Sequence, residues 1–411
     1  MKKTMYMGVM LFVSLVLCTG CLDKKEDSKT KPDDFNIKLI KQVNKKGNYL
    51  ISPYSIEIAL NMLGEGANGN TKKQIDSVLP DRKINNVSVK NRINVANGVF
   101  IKDDYKDLIR KEFKNTLAND YDSEIIYDKF KTPDVINNWV NTKTDGMIEK
   151  ILDRIEENFT LGLANAIAID VDWASEFECQ DTKKQEFTKI EGKKINVEMM
   201  HNSYKSKGYK YLKSDDATGV VIPYKSYDVK TGKVDYDGGR NLEFIGILPE
   251  KDVETYVNNL SSKKLNKLID NGKEASSKYE IKLALPRFTY EYEVPKFDEV
   301  LESMGIKDAF NPKKADFTNI MNKKDMKDNL YVGTAIHKTY IDLNESGTRA
   351  AAVTYFGVDS MGLPDEKEES VEIKFNRPFV YMIRDSKTKE ILFFGAVYEP
   401  NTWKGSTCKV N

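Results

Sequence analysis

Helical and strand-like patterns are unevenly spread along this chain, and their order constrains the fold more than any other feature. Phe35, Leu39, Ile40 and Val43 fall on one helical face, and Lys45 to Asn48 end that run. Ser52-Pro53 reads as an N-cap followed by proline at the first helical position, opening a helix through Ile56, Ala59, Leu60 and Leu63. Gly64, Gly66 and Gly69 are expected to break it, and Thr71 with Gln74 forms a capping-box pattern for a helix over Thr71 to Leu79. Further helices are predicted over Lys106 to Leu117, Pro133 to Thr144, Val253 to Asp270 and Lys296 to Met304. Strand signals dominate elsewhere: Asn94 to Ile101, Ala164 to Asp172, Gly219 to Pro223, Leu242 to Leu248, Glu280 to Leu285 and Ala335 to Leu343. Val371 to Phe375, Phe379 to Arg384 and Ile391 to Tyr398 then follow one another. Helices cluster early and strands late, an α+β order rather than the alternation of a doubly wound sheet.

Composition narrows the chemistry. The chain has 411 residues, with 64 Lys plus Arg against 63 Asp plus Glu and a formal net charge of +1, so nucleic acid is not an expected partner. It has 2 histidines, His201 and His337, which leaves little room for His-based catalysis or a His-rich metal site. No glycine-rich phosphate loop or convincing nucleophile elbow is present, so neither an enzyme nor a cofactor or metal site is expected.

The amino terminus reads as an address. Met1-Lys2-Lys3 precedes an apolar run from Met5 to Leu17, about 13 residues where a spanning helix needs about 20. Leu17-Cys18-Thr19-Gly20-Cys21 resembles a bacterial-type lipobox, with Cys18 where leucine is usual, and this implies lipidation at Cys21. An ordinary cleaved signal or an uncleaved anchor is the alternative. Residues 1–20 are thus expected to be a signal, and 21–34, rich in Lys, Asp, Glu, Ser and Thr, a flexible tether to a membrane. The folded body would be exported and sit at the cell surface or outside the cell. Cys179 and Cys408 remain for that body, and pairing them is open in an oxidising compartment if geometry allows.

The most informative stretch runs from Glu345 to Pro364. Read with a period of two, Thr348, Ala350, Ala352, Thr354, Phe356, Val358 and Ser360 share one face, all small or apolar, as a central strand requires. Gly347, Gly357, Gly362, Pro364 and the acidic run after it are loop chemistry. Periodicity alone reads this as a half-buried strand followed by a solvated loop. Glu345-Ser346-Gly347-Thr348-Arg349-Ala350-Ala351-Ala352, however, resembles the hinge of the serpins, protease inhibitors with a mobile reactive loop. The likeness extends from Phe35 to Pro400, through Ser52-Pro53-Tyr54-Ser55-Ile56, Gly69-Asn70-Thr71, Ala164-Asn165-Ala166, Asp172-Trp173, Phe375-Asn376-Arg377-Pro378-Phe379 and Phe393-Phe394-Gly395.

The resemblance implies one serpin domain over 35–400, with helices around three β-sheets, an exposed reactive loop over about 345–370, and an extension over 401–411. It implies a monomer that forms a covalent acyl-enzyme complex with a serine protease, cysteine proteases being a second class of target. The cleaved loop then inserts as a new strand. About ten backbone hydrogen bonds at about 1 kcal/mol net, with burial of Phe356 and Val358, would supply on the order of 10 kcal/mol. A native state that forgoes this must be kinetically trapped. Family spacing puts the reactive bond between Met361 and Gly362, but the stretch to Phe375 is longer than usual, leaving Asp359, Ser360 and Lys367 as alternatives. Arg349 departs from the acidic or polar residue common there and is placed on the outward face. Ser52, Ser55, Asn165 and His337 match the family's shutter, and Trp173 and the pair Arg287 with Glu345 match its breach. A non-inhibitory serpin acting as a surface binding or structural lipoprotein is the alternative reading; Ala350-Ala351-Ala352 speaks against it.

Overall fold

The computed structural model describes residues 32–157, 159–325, 329–348 and 369–400. Among these are eight α-helices: α1 (Pro32–Val43), α2 (Pro53–Gly66), α3 (Gly69–Val78), α4 (Lys111–Asp120), α5 (Asp134–Lys143), α6 (Val253–Asn258), α7 (Ser262–Asp270) and α8 (Phe297–Met304). The apolar face of α1 is buried as its spacing demands, and α2 opens with Ser52 accepting from the Ser55 N–H and proline in the first turn. As the glycines suggested, α2 ends at Gly66, with Ala67 extended as its C-cap and α3 starting at Gly69. Gly66 also answers to packing, since a Cβ on it would stand 2.4 Å from the Ile320 side chain.

The capping box is corrected by the structure. Helix α3 is capped by Asn68, while the Thr71 hydroxyl accepts from the Asp316 N–H and Gln74 accepts from the amides of Lys307 and Asp308. Both side chains are used to hold a distant segment instead of their own helix. Over Lys106 to Leu117 the chain forms α4 only from Lys111, after a single tight turn at Asp103–Tyr105. The helix expected over Val253 to Asp270 is two helices, because Ser261 turns back to cap α7 at the Lys264 N–H.

The largest sheet has seven strands, ordered β1 (Tyr49–Ile51), β18 (Ile391–Val397), β17 (Phe379–Asp385), β10 (Leu242–Pro249), β9 (Ala217–Pro223), β8 (Lys210–Lys213) and β11 (Lys273–Glu274). Every residue of β17 and β18 is buried, which explains the apolar run of β18 and of β17 up to Ile383; the buried charges that end β17 are paired, Arg384 with Glu243 and Asp385 with Arg240. A four-stranded sheet is ordered β16 (Glu369–Lys374), β12 (Tyr279–Pro286), β7 (Lys194–Tyr204) and β6 (Lys183–Thr188), with β16 parallel to β12 at its edge.

The remaining ladders are β3 (Ser123–Asp128), β2 (Ile93–Lys102), β4 (Leu161–Ile169), and β13 (Phe288–Glu293), β14 (Lys338–Leu343), β15 (Gly347–Thr348), β5 (Val171–Asp172). Only Asp170 separates β4 from β5, so these ladders are halves of one sheet joined at one end. There the two residues of β15 sit between β5 and β14, antiparallel to both. Below, no ladder joins β4 to β14 among the described residues. The expected three sheets are therefore present, and the central one is parted. Residues of β2 and β4 alternate between the main core and a second cluster formed by Phe100, Ala166 and α5 side chains including Trp139 and Val140. Because the two-helix arrangement of α6 and α7 rests on one cap, Ser261→Ala should cost about 1 kcal/mol in urea unfolding.

Candidate functional site: the parted sheet and its hinge

Where the chain leaves β14 it makes a tight reversal through Asn344 to Ser346 and returns as β15. Gly347 faces Asp172, and a Cβ on it would lie 2.1 Å from the Val171 carbonyl oxygen. No side chain fits there, so the hinge glycine is a steric requirement. Thr348 pairs with Val171 on one side and Leu343 on the other; it is 2% exposed, and its hydroxyl is 2.6 Å from the Tyr224 hydroxyl.

Trp173 is fully buried beside this wedge. Its indole N–H donates to the Asn344 carbonyl (2.9 Å) and its backbone N–H to the Ser346 carbonyl (2.9 Å). The ring stacks on Tyr224 at 4.4 Å and meets Phe177 and Phe244 edge-on. Glu345 turns inward. Arg287 Nε donates to its Oε2 at 2.8 Å, Thr182 donates to its Oε1 at 2.6 Å, and its carbonyl accepts from the Phe177 N–H. The Glu345 and Arg287 side chains are each 6% exposed, so this pair is no surface ion pair. Loss of one partner would strand a buried charge.

Below the wedge, α2 packs against β4. His337 is buried, and its Nε2 accepts from the Ser52 N–H at 2.9 Å, which fixes the neutral ring with its proton on Nδ1. Ser52 Oγ accepts from the Ser55 N–H, and the Thr339 hydroxyl donates to the Leu50 carbonyl, so one strand half is bound to the start of α2. Asn165 is not drawn into that cluster. Its Nδ2 donates to Asn97 Oδ1 on β2 (2.7 Å), and its Oδ1 is buried without a partner among the described residues. It nevertheless faces His337 across the parting. Counting six residues along β4 and β14 from the rungs that flank Thr348 brings both strands to that level.

The structure thus assembles Ser52, Ser55 and His337 at one point, and Trp173, Arg287, Glu345, Ser346, Gly347 and Thr348 at another. Arg349, Ala350, Ala351, Ala352, Met361, Gly362 and Cys21 lie outside the described residues. Sequence reasoning missed Tyr224, Thr182 and Thr339, whose roles arise from contacts between distant segments that no local pattern signals.

Burial pushes the His337 imidazole down to about 3. The neutral ring belongs to the folded state, so its contribution is complete above the ordinary histidine value of 6.5 and declines as pH falls toward 3. Burial instead raises the Glu57 carboxyl to about 7, despite Arg82 beside it. Its contribution is complete below 4.5 and declines as pH rises through 7, opposing the histidine slope between those values. In His337→Gln, urea unfolding from pH 6 down to pH 4 should lose a slope approaching 1.4 kcal/mol per pH unit, about one proton's worth. Glu345→Ala, which removes the carboxylate opposite the buried Arg287, should lower stability by about 3 kcal/mol in the same assay.

The family profile described as Serpin (serine protease inhibitor) matches residues 30–400. The chain is 30% identical to leukocyte elastase inhibitor of Xenopus tropicalis, over 89% of this chain and 97% of that one. It resembles the thermophilic serpin Tengpin in its native state with a TM-score of 0.75 and 31% identity, covering 90% of this chain and 93% of that one. Against Tengpin in its latent state the TM-score is 0.71 at 29% identity, over 90% and 97% of the two chains. With an α+β architecture of helices around several sheets and a family match across most of its length, the chain belongs to the serpin family.

Proposed function

We propose that this serpin is a suicide-substrate inhibitor of serine proteases, with cysteine proteases as a second class, and that its reactive loop, the bait, spans about residues 345–370. The observation that carries this reading is the two-residue β15 seated between β5 and β14 above a sheet that is otherwise parted. It has the form of a strand addition that has begun and stopped. A ladder continuing from Thr348 would place Ala350 and Ala352 on the same inner face, where small side chains demand little room. The same register would bring Thr354 between Asn165 and His337, next to the buried Asn165 oxygen that has no partner among the described residues. An unsatisfied polar atom at the centre of the parting is accounted for if the native state awaits a sixth strand.

Mechanistically, the protease nucleophile would attack the carbonyl of the reactive bond, for which Met361–Gly362 is our assignment, and the new amino terminus would depart with the segment leading to β16. Freed from that end, the bait would zip downward from Thr348 and carry the acylated protease with it. Ser52, Ser55, Asn165 and His337 would act as the latch at mid-sheet, and Trp173, Arg287 and Glu345 as the seat of the hinge. Ala350-Ala351-Ala352 supports inhibition over a purely binding role, since nothing bulky blocks the first rungs. We further assign export with a lipid tether at Cys21, supported by the apolar start of the chain and its lipobox-like end.

Incubation with a panel of proteases should yield a denaturant-resistant adduct, and cleavage within the bait should raise the melting temperature markedly. Thr348→Arg should convert the protein to a cleaved substrate. An undiminished adduct yield from that variant, or equal melting temperatures before and after cleavage, would count against the reading.

A further inference from the structure

Strand β5 is covered on both edges, and one of those covers is a hairpin that the central sheet does not own. Beyond Ile169 the neighbouring strand β2 ends: its first rung is Ile93 with Ile169, and Arg92 adds one more contact by accepting from the Asp170 N–H (2.7 Å). From there the chain between β9 and β10, residues 224–241, takes the place of β2. Its base is closed by a pair of 2.8 Å hydrogen bonds in which Tyr227 and Arg240 each donate to the other's carbonyl.

Asp172 is held at each of its polar groups by that hairpin or by Arg92. Its N–H donates to the Tyr227 hydroxyl at 3.0 Å, and the same hydroxyl donates to its Oδ2 at 3.0 Å. Its carbonyl accepts from the Lys225 N–H at 2.8 Å, and Arg92 and Lys225 place cationic groups 3.6 and 3.8 Å from Oδ2. Arg92 also lies over the Tyr227 ring at 4.7 Å. Since backbone polar groups alternate sides along a strand, turning those of Asp172 toward the hairpin aims those of Val171 and Trp173 at the hinge. The Trp173 N–H accordingly donates to Ser346.

We infer that Tyr227 and Asp172 are positioning residues for loop insertion: together they lock the end of β5 against the hairpin, so that the two rungs already made with β15 hold the register for those that follow on β4. The hairpin is rooted in β9 and β10 of the seven-stranded sheet, so β5 is braced from outside its own sheet. This rests on the inhibitory reading above. Without the Tyr227 hydroxyl, β5 keeps the Lys225 N–H at the Asp172 carbonyl but loses the shared partner of its N–H and carboxylate, and the following rungs form from a looser register.

The test uses the full chain, nicked within residues 353–368 by a protease it does not trap, with insertion followed by tryptophan fluorescence and confirmed by the rise in melting temperature. Tyr227→Phe should insert about tenfold more slowly, the effect expected of losing two hydrogen bonds. It should also divert a trapped protease toward cleaved product, with faster hydrogen exchange at the Asp172 amide. Asp172→Ala should behave likewise, whereas Asp172→Asn, which keeps an acceptor for the tyrosine, should insert near the wild-type rate. A merely structural role would lower the melting temperature of the intact protein and leave the rate of insertion unchanged. Wild-type insertion with an unchanged rate in Tyr227→Phe overturns the inference and leaves the inhibitory reading standing. Failure of the nicked wild type to gain stability overturns both.

Discussion

Two rungs of backbone pairing, Gly347 opposite Asp172 and Thr348 opposite Val171, keep the central sheet of this molecule divided. Strand edges carry amide and carbonyl groups that must be satisfied, and two facing edges without a ladder between them are an unfinished structure. The wedge is short enough to leave most of that unfinished length open and tight enough to fix where a further strand would begin. Everything else near the site is subordinate to this arrangement. Trp173 and Tyr224 wall the wedge, Glu345 anchors the turn before it, and the start of α2 ties down one side of the opening through His337.

The anchoring groups are costly choices. A buried Arg–Glu pair gains little over apolar packing and is better understood as a device that admits one geometry and penalises others. His337 carries a related cost, because its ring is held neutral far below the ordinary titration range. Such groups make sense where a fold must be specific about which rearrangement it permits. Glu57, Arg82 and Glu390 repeat the pattern at a distance, with two carboxylates sharing one guanidinium beneath the first half of α2.

Much of this was legible in the chain. The Ser52-Pro53 helix start and the late succession of strands each express a local rule of capping or alternation, and those rules were not overridden. The same holds for the placement of Thr348 on the inner face. Errors arose where a side chain was spent on tertiary contacts. Thr71 and Gln74 had the spacing of a cap but serve the segment around Asp308 and Asp316. Strands β6, β7 and β13 escaped notice because Lys, Glu and Thr interrupt them on exposed faces. The Glu345 and Arg287 pairing followed from resemblance, whereas its burial required the fold. That Asn165 bonds to Asn97 rather than reaching His337 could not be read from residue types, since both asparagines are competent partners.

The second apolar cluster has a mechanical implication. Phe100 of β2, Ala166 of β4, and Phe130, Ile136, Trp139, Val140 and Ile148 on or around α5 form a small interior of their own, separate from the main one. The helix and the strands beneath it are therefore glued into a single plate. Tyr340 of β14 packs against the same cluster and Lys338 donates to the Lys150 carbonyl, so any displacement of the plate relative to β14 must work against that seam and not within the plate. A machine assembled this way can be stiff within each part yet still yield along one chosen plane.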